Sequence, residues 1–581
     1  MSFQFLGPDP TEAQLNHVLT ELANGRLPHD IEKRNVDVKE EPGRRGPGGV
    51  VQAGATENED AAKYMAGELA CLANTPGGGA LIVGVADDGL HVGTDVDAEW
   101  LRHRIYQLSD RRLTVDIREV DLNGTRLLVL RVPEAVEPIR WHGRIQWRVN
   151  DNCVEVDAAT WMSGRLHRSG FDWSAQPSGY RLEDLRGSAM EVARRFLSQA
   201  ANDPTAADLS SATDEDLLRR LNVVDGDGNL TNAGALLFVE TPSTAIDYIR
   251  RDHPGGDSTV RIRGDGSLLS QLAEVETAAA ASNRVVHLPD GLVRGQVRAL
   301  PPSAIREAIV NGVVHREWPS DAPVVVEHVG DTLTVTSPGG FIGGVTPANI
   351  ISHPSVPRYR SLAEAAAALR LAEREGTGVD RMVADMLALG HRPPDIAEVD
   401  GPFVRAVLIG GTPNREWTEI LAASSSGALS RDVDLLLLLD HLSRHGWVDA
   451  TRAAPVLQRR EIETEAAIGR LADVTVNSEP VIVPVAGVPD GEPSAWRPSD
   501  VVREKLPTRL QHVLSGTGRE RMILDWARAR GRVSSTEVAD LAGVATNYAG
   551  KLLGNLEAHG YLQPGRANRS GRGFFYRLST T

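Results

Sequence analysis

The sequence predicts an α+β protein built from several domains. Its 581 residues are more than one hydrophobic core fills, and the length alone favours about three to five domains. Helical periodicities and strand-like alternation are mixed along the chain, as in "LTVDIREVDLNGTRLLVLRVP", which reads as two strands around an Asn-Gly turn. The longest purely apolar run, Leu435 to Leu439, is far shorter than the ~20 residues of a membrane span. We therefore expect no membrane contact.

Composition narrows the classes of partner and compartment. The formal net charge of −16 argues against a surface that is basic throughout, so any contact with nucleic acid must be local. Cys71 and Cys153 are too few for a disulfide framework or a four-cysteine zinc site, and we expect both to pack as small apolar residues. The start "MSFQFLGPDPTEAQ" lacks the basic and apolar blocks of a secretory signal, which favours the cytoplasm.

Helix, strand and loop patterns divide the chain in order. A helical pattern from Thr11 to Asn24 comes first, and a Gly- and Pro-rich loop separates "DIEKRNVDVKE" from a second helical pattern at Asp60 to Leu72. The break "NTPGGG" then leads into the apolar strand "ALIVGVA". A mainly helical stretch, a second mixed region and the linker "AASSSGALS" follow. The predicted domains are 1–30, 31–165, 180–410, 428–500 and 515–581.

The stretch "PPSAIREAIVNGVVHREW" predicts a helix that starts at a proline and carries a polar stripe. Glu307, Asn311 and His315 are spaced at i, i+4 and i+8, so they share one face. Any amphipathic surface helix shows a polar face beside an apolar one, and spacing alone favours that ordinary interpretation. The glycine-rich turns that follow, "SPGGFIGG" and "EGTGVDR", change the balance. Asn can coordinate magnesium, a carboxylate can orient water, and bare N–H groups at a helix start can accept phosphate.

The motifs "IREAIVNGVVHRE", "SPGGF", "PSVPRYRSLAE" and "EGTGVDRM", in this order, resemble the divergent GHKL-type ATP-binding domain of bacterial RecG-like proteins. The resemblance covers roughly Leu230 to Ile409 and implies an α/β sandwich that binds ATP and Mg²⁺. It implies that Asn311 bridges the metal and that Glu307 orients water. It places the nucleotide against His315, Gly339, Gly340, Gly376, Thr377 and Gly378. Ser337 stands where that family usually has Asn, and ATP hydrolysis is left open beside binding as a switch. No P-loop motif occurs.

A second set of motifs lies in the N-terminal third. The segments "IEKRNVDVKE", "ELACLANTPGGGALIVGVADDG" and "EPIRWHGRIQWRVNDNCVEVD" resemble the Schlafen-type AlbA-like domain over about Ile31 to Asp157. This resemblance implies nucleic-acid binding, with Lys39 at the binding edge. In members that cleave RNA it implies a metal-holding carboxylate trio, for which the candidates are Glu32, Asp37 and Asp87. We favour binding over cleavage, because Asp37 is one methylene shorter than the Glu usual at that position.

The C-terminal region predicts a helix-turn-helix. A helix at Arg519 to Arg530, the capped helix "SSTEVADLAG" and the helix "TNYAGKLLGNLEAHG" precede the hairpin-like "PGRANRSGRGFFYRL". This order resembles winged-helix DNA-binding domains. It predicts contacts to bases or phosphates from the second helix and to phosphates from the basic wing, which has no acidic residue. The candidates are Thr546, Asn547, Tyr548, Lys551, Arg566, Arg569, Arg572 and Arg577. Winged helices also dock proteins, which is the alternative.

The unit at Asp432 to Val483 resembles a winged helix more weakly. Its second helix carries Glu461, Glu463 and Glu465, which suits protein packing or dimerisation better than DNA. One DNA-reading unit per chain then favours a homodimer, which supplies two. The whole sequence thus predicts an AlbA-like domain, a GHKL-like ATP-binding domain and a tandem winged-helix tail. We expect an ATP-responsive DNA-binding transcriptional regulator, with RNA as an open second partner. The competing class is a metal-dependent nuclease of Schlafen type in stress or phage defence.

Overall fold

The computed structural model shows a mixed α/β multidomain protein, as the sequence predicts. It describes residues 10–31, 35–46, 49–149, 152–158, 160–162, 165, 172–200, 203–240, 244–290, 293–372, 376–399, 402–425, 427, 429–566 and 573–579. Among these residues, every helix is too short or too polar to cross a bilayer.

The N-terminal region folds around a four-stranded sheet of order β1-β2-β4-β3 and a smaller sheet of order β5-β6-β7. The β3–β4 hairpin turns at Asn123 and Gly124, both at positive φ, which confirms the predicted Asn-Gly turn. The helices are α1 (Pro10–Ala23), α2 (Pro28–Ile31), α3 (Glu59–Asn74) and α4 (Ala98–Leu108). The strands are β1 (Val36–Lys39), β2 (Gly79–Val83), β3 (Asp116–Leu122), β4 (Thr125–Val132), β5 (Arg140–Trp141), β6 (Arg144–Val149) and β7 (Asn152–Val156).

The two faces of the first sheet are covered by different helices. Leu15, Val18 and Leu22 of α1 pack in one core with Val36 and Val38 of β1. The buried side of α3 packs in a second core with β2 and β4. The N-terminal helix, predicted as a segment of its own, therefore contributes to the core of the domain that follows it.

The central region is a two-layer α/β unit. Its six-stranded sheet has the order β14-β15-β13-β12-β8-β9, in which β12 and β8 run parallel and the other neighbours antiparallel. The helices are α5 (Gly187–Gln199), α6 (Pro204–Ser211), α7 (Asp214–Arg220), α8 (Asn232–Phe238), α9 (Leu268–Ser282), α10 (Pro302–Val314), α11 (Arg360–Ala368) and α12 (Gly378–Ala388). The strands are β8 (Ile246–Arg251), β9 (Ser258–Arg263), β10 (Val285–Asp290), β11 (Val293–Arg298), β12 (Val324–Val329), β13 (Thr332–Pro338), β14 (Asp395–Val399) and β15 (Phe403–Ile409).

Alternation along the sheet strands decides which side holds the core. The burial of β12 alternates residue by residue, as expected of a strand with one packed face. Ile305, Ile309 and Val313 of α10 lie in the same core as Val324 and Val335 of the sheet. The polar stripe of α10 is thereby turned away from the core interior.

The C-terminal region contains short helices and short β-hairpins. Its helices are α13 (Arg415–Ala422), α14 (Val433–His445), α15 (Ala450–Leu457), α16 (Glu461–Ala472), α17 (Asp500–Lys505), α18 (Pro507–Leu514), α19 (Gly516–Arg530), α20 (Ser535–Ala542) and α21 (Thr546–Ala558). Its strands are β16 (Val448–Asp449), β17 (Thr475–Val476), β18 (Glu479–Pro480), β19 (Ile482–Pro484), β20 (Ala495–Pro498), β21 (Leu562–Pro564) and β22 (Tyr576–Leu578). The predicted cap of α20 is present and forms a capping box, because Ser534 Oγ accepts from Glu537 N and the Glu537 carboxylate accepts from Ser534 N.

The two C-terminal units are joined by a buried contact. The Trp447 and Trp526 rings meet edge to face at 4.6 Å, and both side chains are fully buried in one core. Two ion pairs flank this contact: Arg452 with Asp525 at 2.7 Å, and Arg530 with Asp449 at 3.2 Å. The units therefore pack as one body.

Helix α12 belongs to two cores at once. Met382 and Met386 pack in the core of the central unit, whereas Val383 and Leu387 pack with the leucines of α14. The indole of Trp417 donates to the Leu387 carbonyl at 2.6 Å. The helix is thus the structural joint between the central unit and the tail.

The cysteines differ from the prediction. Cys71 of α3 and Cys153 of β7 form a disulfide with Cα atoms 6.2 Å apart, instead of packing as separate apolar residues. The expectation was wrong because it rested on counting cysteines, and 82 residues of sequence separation hid their proximity in the fold.

Candidate functional site

A cavity of about 800 Å³ opens in the central unit beside α10, between the end of β13, α11 and α12. It is lined by seven of the predicted nucleotide residues: Glu307, Asn311, His315, Gly339, Gly340, Gly376 and Gly378. Thr377 is not among the lining residues and is instead the N-cap residue of α12. A polar rim combined with apolar side chains such as Val335, Ile342 and Met382 is typical of small-molecule sites.

Glu307 and Asn311 interact on the face of α10 that borders the cavity. The Asn311 amide donates to Glu307 Oε1 at 2.8 Å, as the spacing of one helical turn allows. With its N–H₂ group engaged there, the amide has its oxygen as the acceptor for other groups. The pair thus presents oxygen atoms of the kind that Mg²⁺ prefers.

The glycines around the cavity are needed for space or for backbone conformation. A Cβ at Gly378, the first residue of α12, would lie 1.7 Å from Glu307 Oε1, and one at Gly340 would lie 2.3 Å from Glu398 Oε1. Gly339 and Gly376 adopt positive φ values of 96° and 69°, which L side chains rarely adopt. The carboxylate of Glu307 can therefore approach the start of α12 only because position 378 has no side chain.

A buried ion pair holds the turn after β13 in place. Arg358 donates to Glu317 Oε2 at 2.8 Å, to the His315 carbonyl and to the Gly340 carbonyl. The Tyr359 hydroxyl donates to Glu317 Oε1 at 2.7 Å. One guanidinium thus connects the glycine turn after β13 to the end of α10, and both segments lie in the cavity wall.

Ser337 stands where the resembling family usually has Asn, and its hydroxyl is used in a hydrogen bond within the protein. It donates to the Gly312 carbonyl at 2.6 Å and is buried. Sequence reasoning did not name five further lining residues: Arg220, Asn222, His353, Ser355 and Arg360. Ser355 and Arg360 lie within the motif "PSVPRYRSLAE", whereas the other three lie in no motif. Arg220 and Asn222 come from the end of α7, which the sequence indicated only as a helical stretch.

Of the predicted carboxylate trio of the N-terminal domain, the structure describes Asp37 and Asp87. Asp37 is buried and pairs with the buried Arg148 at 2.7 Å and with Lys39 Nζ at 3.1 Å. Asp87 is exposed, and Glu32 lies outside the described residues. Over the described part of the chain, no cluster of three or more His, Cys, Asp or Glu side chains could hold a metal ion. Asp37 is thus paired with cationic side chains of the protein itself, and a metal-holding role of the trio stays a prediction.

A different titratable cluster surrounds Asp37. Tyr64, Glu68 and Cys71 lie along one face of α3, and Cys71 is joined through its disulfide to β7. Burial and the nearby Asp37 carboxylate raise the pKa of Glu68 above its usual value. Burial, and then Glu68, raise the pKa of Tyr64. The spacing of these residues on a helix was visible in the sequence, but nothing in it indicated that Asp37 and Arg148 would face them.

The C-terminal unit exposes the residues that were predicted to face DNA. Thr546, Asn547, Tyr548 and Lys551 are all exposed on the first turns of α21. The Arg519 guanidinium lies 5.9 Å from the centre of the Tyr548 ring. One side of α21 is therefore exposed in the part of the chain that the structure describes, and it carries polar, aromatic and cationic groups.

Three arginines gather around one ring beside this helix. The guanidinium groups of Arg532, Arg566 and Arg577 lie 5.0 to 5.6 Å from the centre of the Phe575 ring. Arg532 was missed by the sequence because it precedes α20 and comes close to Phe575 through the antiparallel bridge between Val533 and Tyr576. The predicted Arg569 and Arg572 lie outside the described residues.

Comparison with known proteins finds matches to family models and to solved structures. Residues 321–408 match the model described as "Putative ATP-dependent DNA helicase recG C-terminal", and residues 32–157 match "Schlafen, AlbA_2". The crystal structure of the DIP2311 protein from Corynebacterium diphtheriae is 33% identical, with a TM-score of 0.61, over 98% of this chain and 99% of that one. No curated protein matches significantly.

Proposed function

The chain belongs to the Schlafen AlbA-type, RecG-like family that includes the DIP2311 protein, and from this premise we propose that it is an ATP-responsive, DNA-binding transcriptional regulator. Its domains are of nucleotide-binding and nucleic-acid-related types. In this proposal the central cavity takes ATP with Mg²⁺, and the tail reads duplex DNA. We place the protein in the cytoplasm.

The observation that carries the nucleotide assignment is the convergence of Glu307, Asn311 and Gly378 at one end of the cavity. The residues fit magnesium and a phosphate chain: two side chains offer oxygen atoms, and a Cβ at position 378 would fill the space between them and the start of α12. Asn311 would hold the Mg²⁺, which supplies charge neutralisation for phosphate when bound. Glu307 would orient water, so an ATPase of GHKL type is part of the proposal as a separable step.

Calorimetry with ATP and Mg²⁺ tests this assignment. We expect Asn311→Ala to weaken binding at least about tenfold, or about 1.4 kcal/mol, because it removes the metal-bridging oxygen. Asn555→Ala is a matched control, since it makes the same change at an exposed position of α21 far from the cavity-lining residues. If the folded wild-type protein gives no heat of binding with ATP, the nucleotide assignment is wrong.

The DNA-binding part of the proposal is supported by the exposed face of α21 and the arginines around Phe575. We propose that this unit is a winged helix-turn-helix in which α21 enters the major groove and the β21–β22 hairpin contacts phosphates. The preceding unit, whose α16 exposes Glu461, Glu463 and Glu465, would serve protein docking or dimerisation. A homodimer would present two DNA-reading helices.

One observation favours a second function, a Schlafen-type nuclease. Glu68, whose pKa is raised by burial, lies with Tyr64 beside Asp37 and Lys39 in the domain that matches the Schlafen model. If Asp87 also serves a metal, purified protein with Mg²⁺ or Mn²⁺ should cleave RNA or single-stranded DNA, and Asp87→Asn should abolish cleavage but keep binding. We expect no cleavage, because Asp37 is neutralised by Arg148 and Lys39. If cleavage products form with the wild type and disappear with Asp87→Asn, the regulator proposal is wrong and the protein is a nuclease.

A further inference from the structure

The wall of the cavity includes a loop that reaches the tail. This loop, residues 339–357, runs from the end of β13 to Arg358 and contributes Gly339, Ile342, Val345, Ile350 and His353 to the cavity lining. The backbone of the same loop is also bonded to a side chain from the C-terminal region. It therefore has one side toward the cavity and one toward the tail.

Gln458 is the side chain that holds the loop. Its Oε1 accepts a hydrogen bond from Ile351 N at 2.7 Å, and its Nε2 donates to the Pro347 carbonyl at 2.8 Å. Ile351 itself packs against the tail core that contains α14 and Leu457. One amide thus satisfies a donor and an acceptor of a loop that lies more than a hundred residues away in the sequence.

The backbone of Gln458 has an uncommon conformation. The residue caps α15 in the left-handed region, with φ of 54°, and lies just before Arg460, the N-cap of α16. A residue other than Gly, Asn or Asp in this conformation is uncommon and costs free energy. The residue in this conformation is the one whose side chain forms the two hydrogen bonds to the loop.

Helix α12 also connects the cavity to the tail, and its C-terminal end is held by side chains of the tail. Trp417 bonds the Leu387 carbonyl near the end of α12, and Arg509 joins the Gly390 carbonyl to Asp440 of α14 while stacking on Trp417. These bonds clamp the C-terminal end of α12 to the tail. The loop, by contrast, has irregular backbone for most of its length and contacts the tail through the Gln458 amide and the packing of Ile351.

We propose that Gln458 is the coupling residue that transmits occupancy of the cavity to the C-terminal units. The inference rests on the proposed function, since it takes Mg²⁺·ATP as the occupant. A ligand that contacts Val345, Ile350 or His353 fixes the loop in one placement. Through Gln458, that placement sets the corner between α15 and α16, and hence the tail that packs with it.

The test compares amide hydrogen exchange of the full-length protein with and without Mg²⁺ and a non-hydrolysable ATP analogue. The variant is Gln458→Gly, which keeps the left-handed backbone at no steric cost and removes both bonds. Gln458→Asn, whose side chain is one methylene shorter, is a second variant that tolerates the same backbone. Asn477→Gly is the control, because it makes a glycine at another left-handed position of the same unit, in the β17–β18 turn.

In the wild type we expect the analogue to slow exchange both in α10 and α12 and in α15 and α16. In both Gln458 variants the response in α10 and α12 should persist, with affinity for the analogue within about threefold, whereas the response in α15 and α16 should shrink at least about fivefold. Asn477→Gly should respond like the wild type.

Two results overturn the inference, and they are distinguishable. If the wild type responds around the cavity and the Gln458 variants still transmit the full response to α15 and α16, the coupling runs through other contacts, such as those of α12 or Ile351, and Gln458 has no such role. If the wild type responds nowhere and calorimetry detects no binding, the proposed nucleotide function fails, and the inference fails with it.

Discussion

Replacing Glu317 by Ala should destabilise the central unit more than any exposed charge change nearby. Glu317 and Arg358 have side chains only 2% and 5% exposed, and Glu317 accepts from both Arg358 and the Tyr359 hydroxyl. Removing the carboxylate leaves a buried guanidinium without its counter-charge, which costs about 3–5 kcal/mol. Tyr359→Phe removes one hydrogen bond to a charged group and should cost about 1.5–3 kcal/mol.

The adjacent exposed pair supplies the control. Arg360 and Glu364 are joined at 2.8 Å, but their side chains are 80% and 52% exposed. Glu364→Ala should therefore cost about 0.5 kcal/mol or less. Native-state hydrogen exchange of amides in β12 and β13 measures the opening of this unit separately from the rest of the chain. If Glu317→Ala and Glu364→Ala differ by less than about 1 kcal/mol, the buried pair does not hold the cavity wall as argued.

Further predictions follow from other features. Gly378→Ala should weaken binding of Mg²⁺·ATP in calorimetry with an unchanged melting temperature, because its Cβ displaces the Glu307 carboxylate and the backbone there is not at positive φ; unchanged affinity would contradict the assigned role of Glu307. Burial holds the pKa of His441 down to about 3, so the unfolded chain takes up a proton near pH 6.5 while the folded chain does not. The free energy of unfolding should therefore fall by about 2 kcal/mol from pH 7.5 to 5 in urea titrations. His441→Phe should remove this part of the pH dependence. Replacing Arg566, Arg569 and Arg572 by Ala in the full chain should flatten the salt dependence of DNA binding by about three units, and an unchanged slope would assign the hairpin to protein docking. Reducing the Cys71–Cys153 bond should destabilise the N-terminal domain by about 4 kcal/mol, as expected for a long closed loop, and a Cys71→Ser, Cys153→Ser variant should be insensitive to reductant.

Local patterns predicted the elements well, because their causes are local. The β3–β4 turn and the N-terminal cap of α20 each depend on residues a few positions apart. The glycine turns and α10 of the cavity were also indicated by the sequence, and the structure brings seven of the predicted residues to one cavity. Their roles toward a nucleotide stay predictions.

Partners distant in sequence were not predictable in the same way. Arg148 faces Asp37 only because β6 and β1 meet beside α3, and Cys153 reaches Cys71 through the same packing. Gln458 likewise carries no motif, and its two bonds cross more than a hundred residues. The sequence gives the side chains but not the ion pairs, disulfide and hydrogen bonds that they form with distant residues.

The double membership of α12 affects how this protein is synthesised and how it can be cut. Val383 and Leu387 belong to a core that is completed only by Leu510, so they stay exposed on a growing chain for on the order of ten seconds at ordinary rates of translation. A fragment that ends after β15 would carry the same apolar stripe permanently and should aggregate. A fragment that begins at Ser515 would lose Trp447, the partner of Trp526. The proposed ATP-binding and DNA-reading parts therefore depend on the intact chain for their packing.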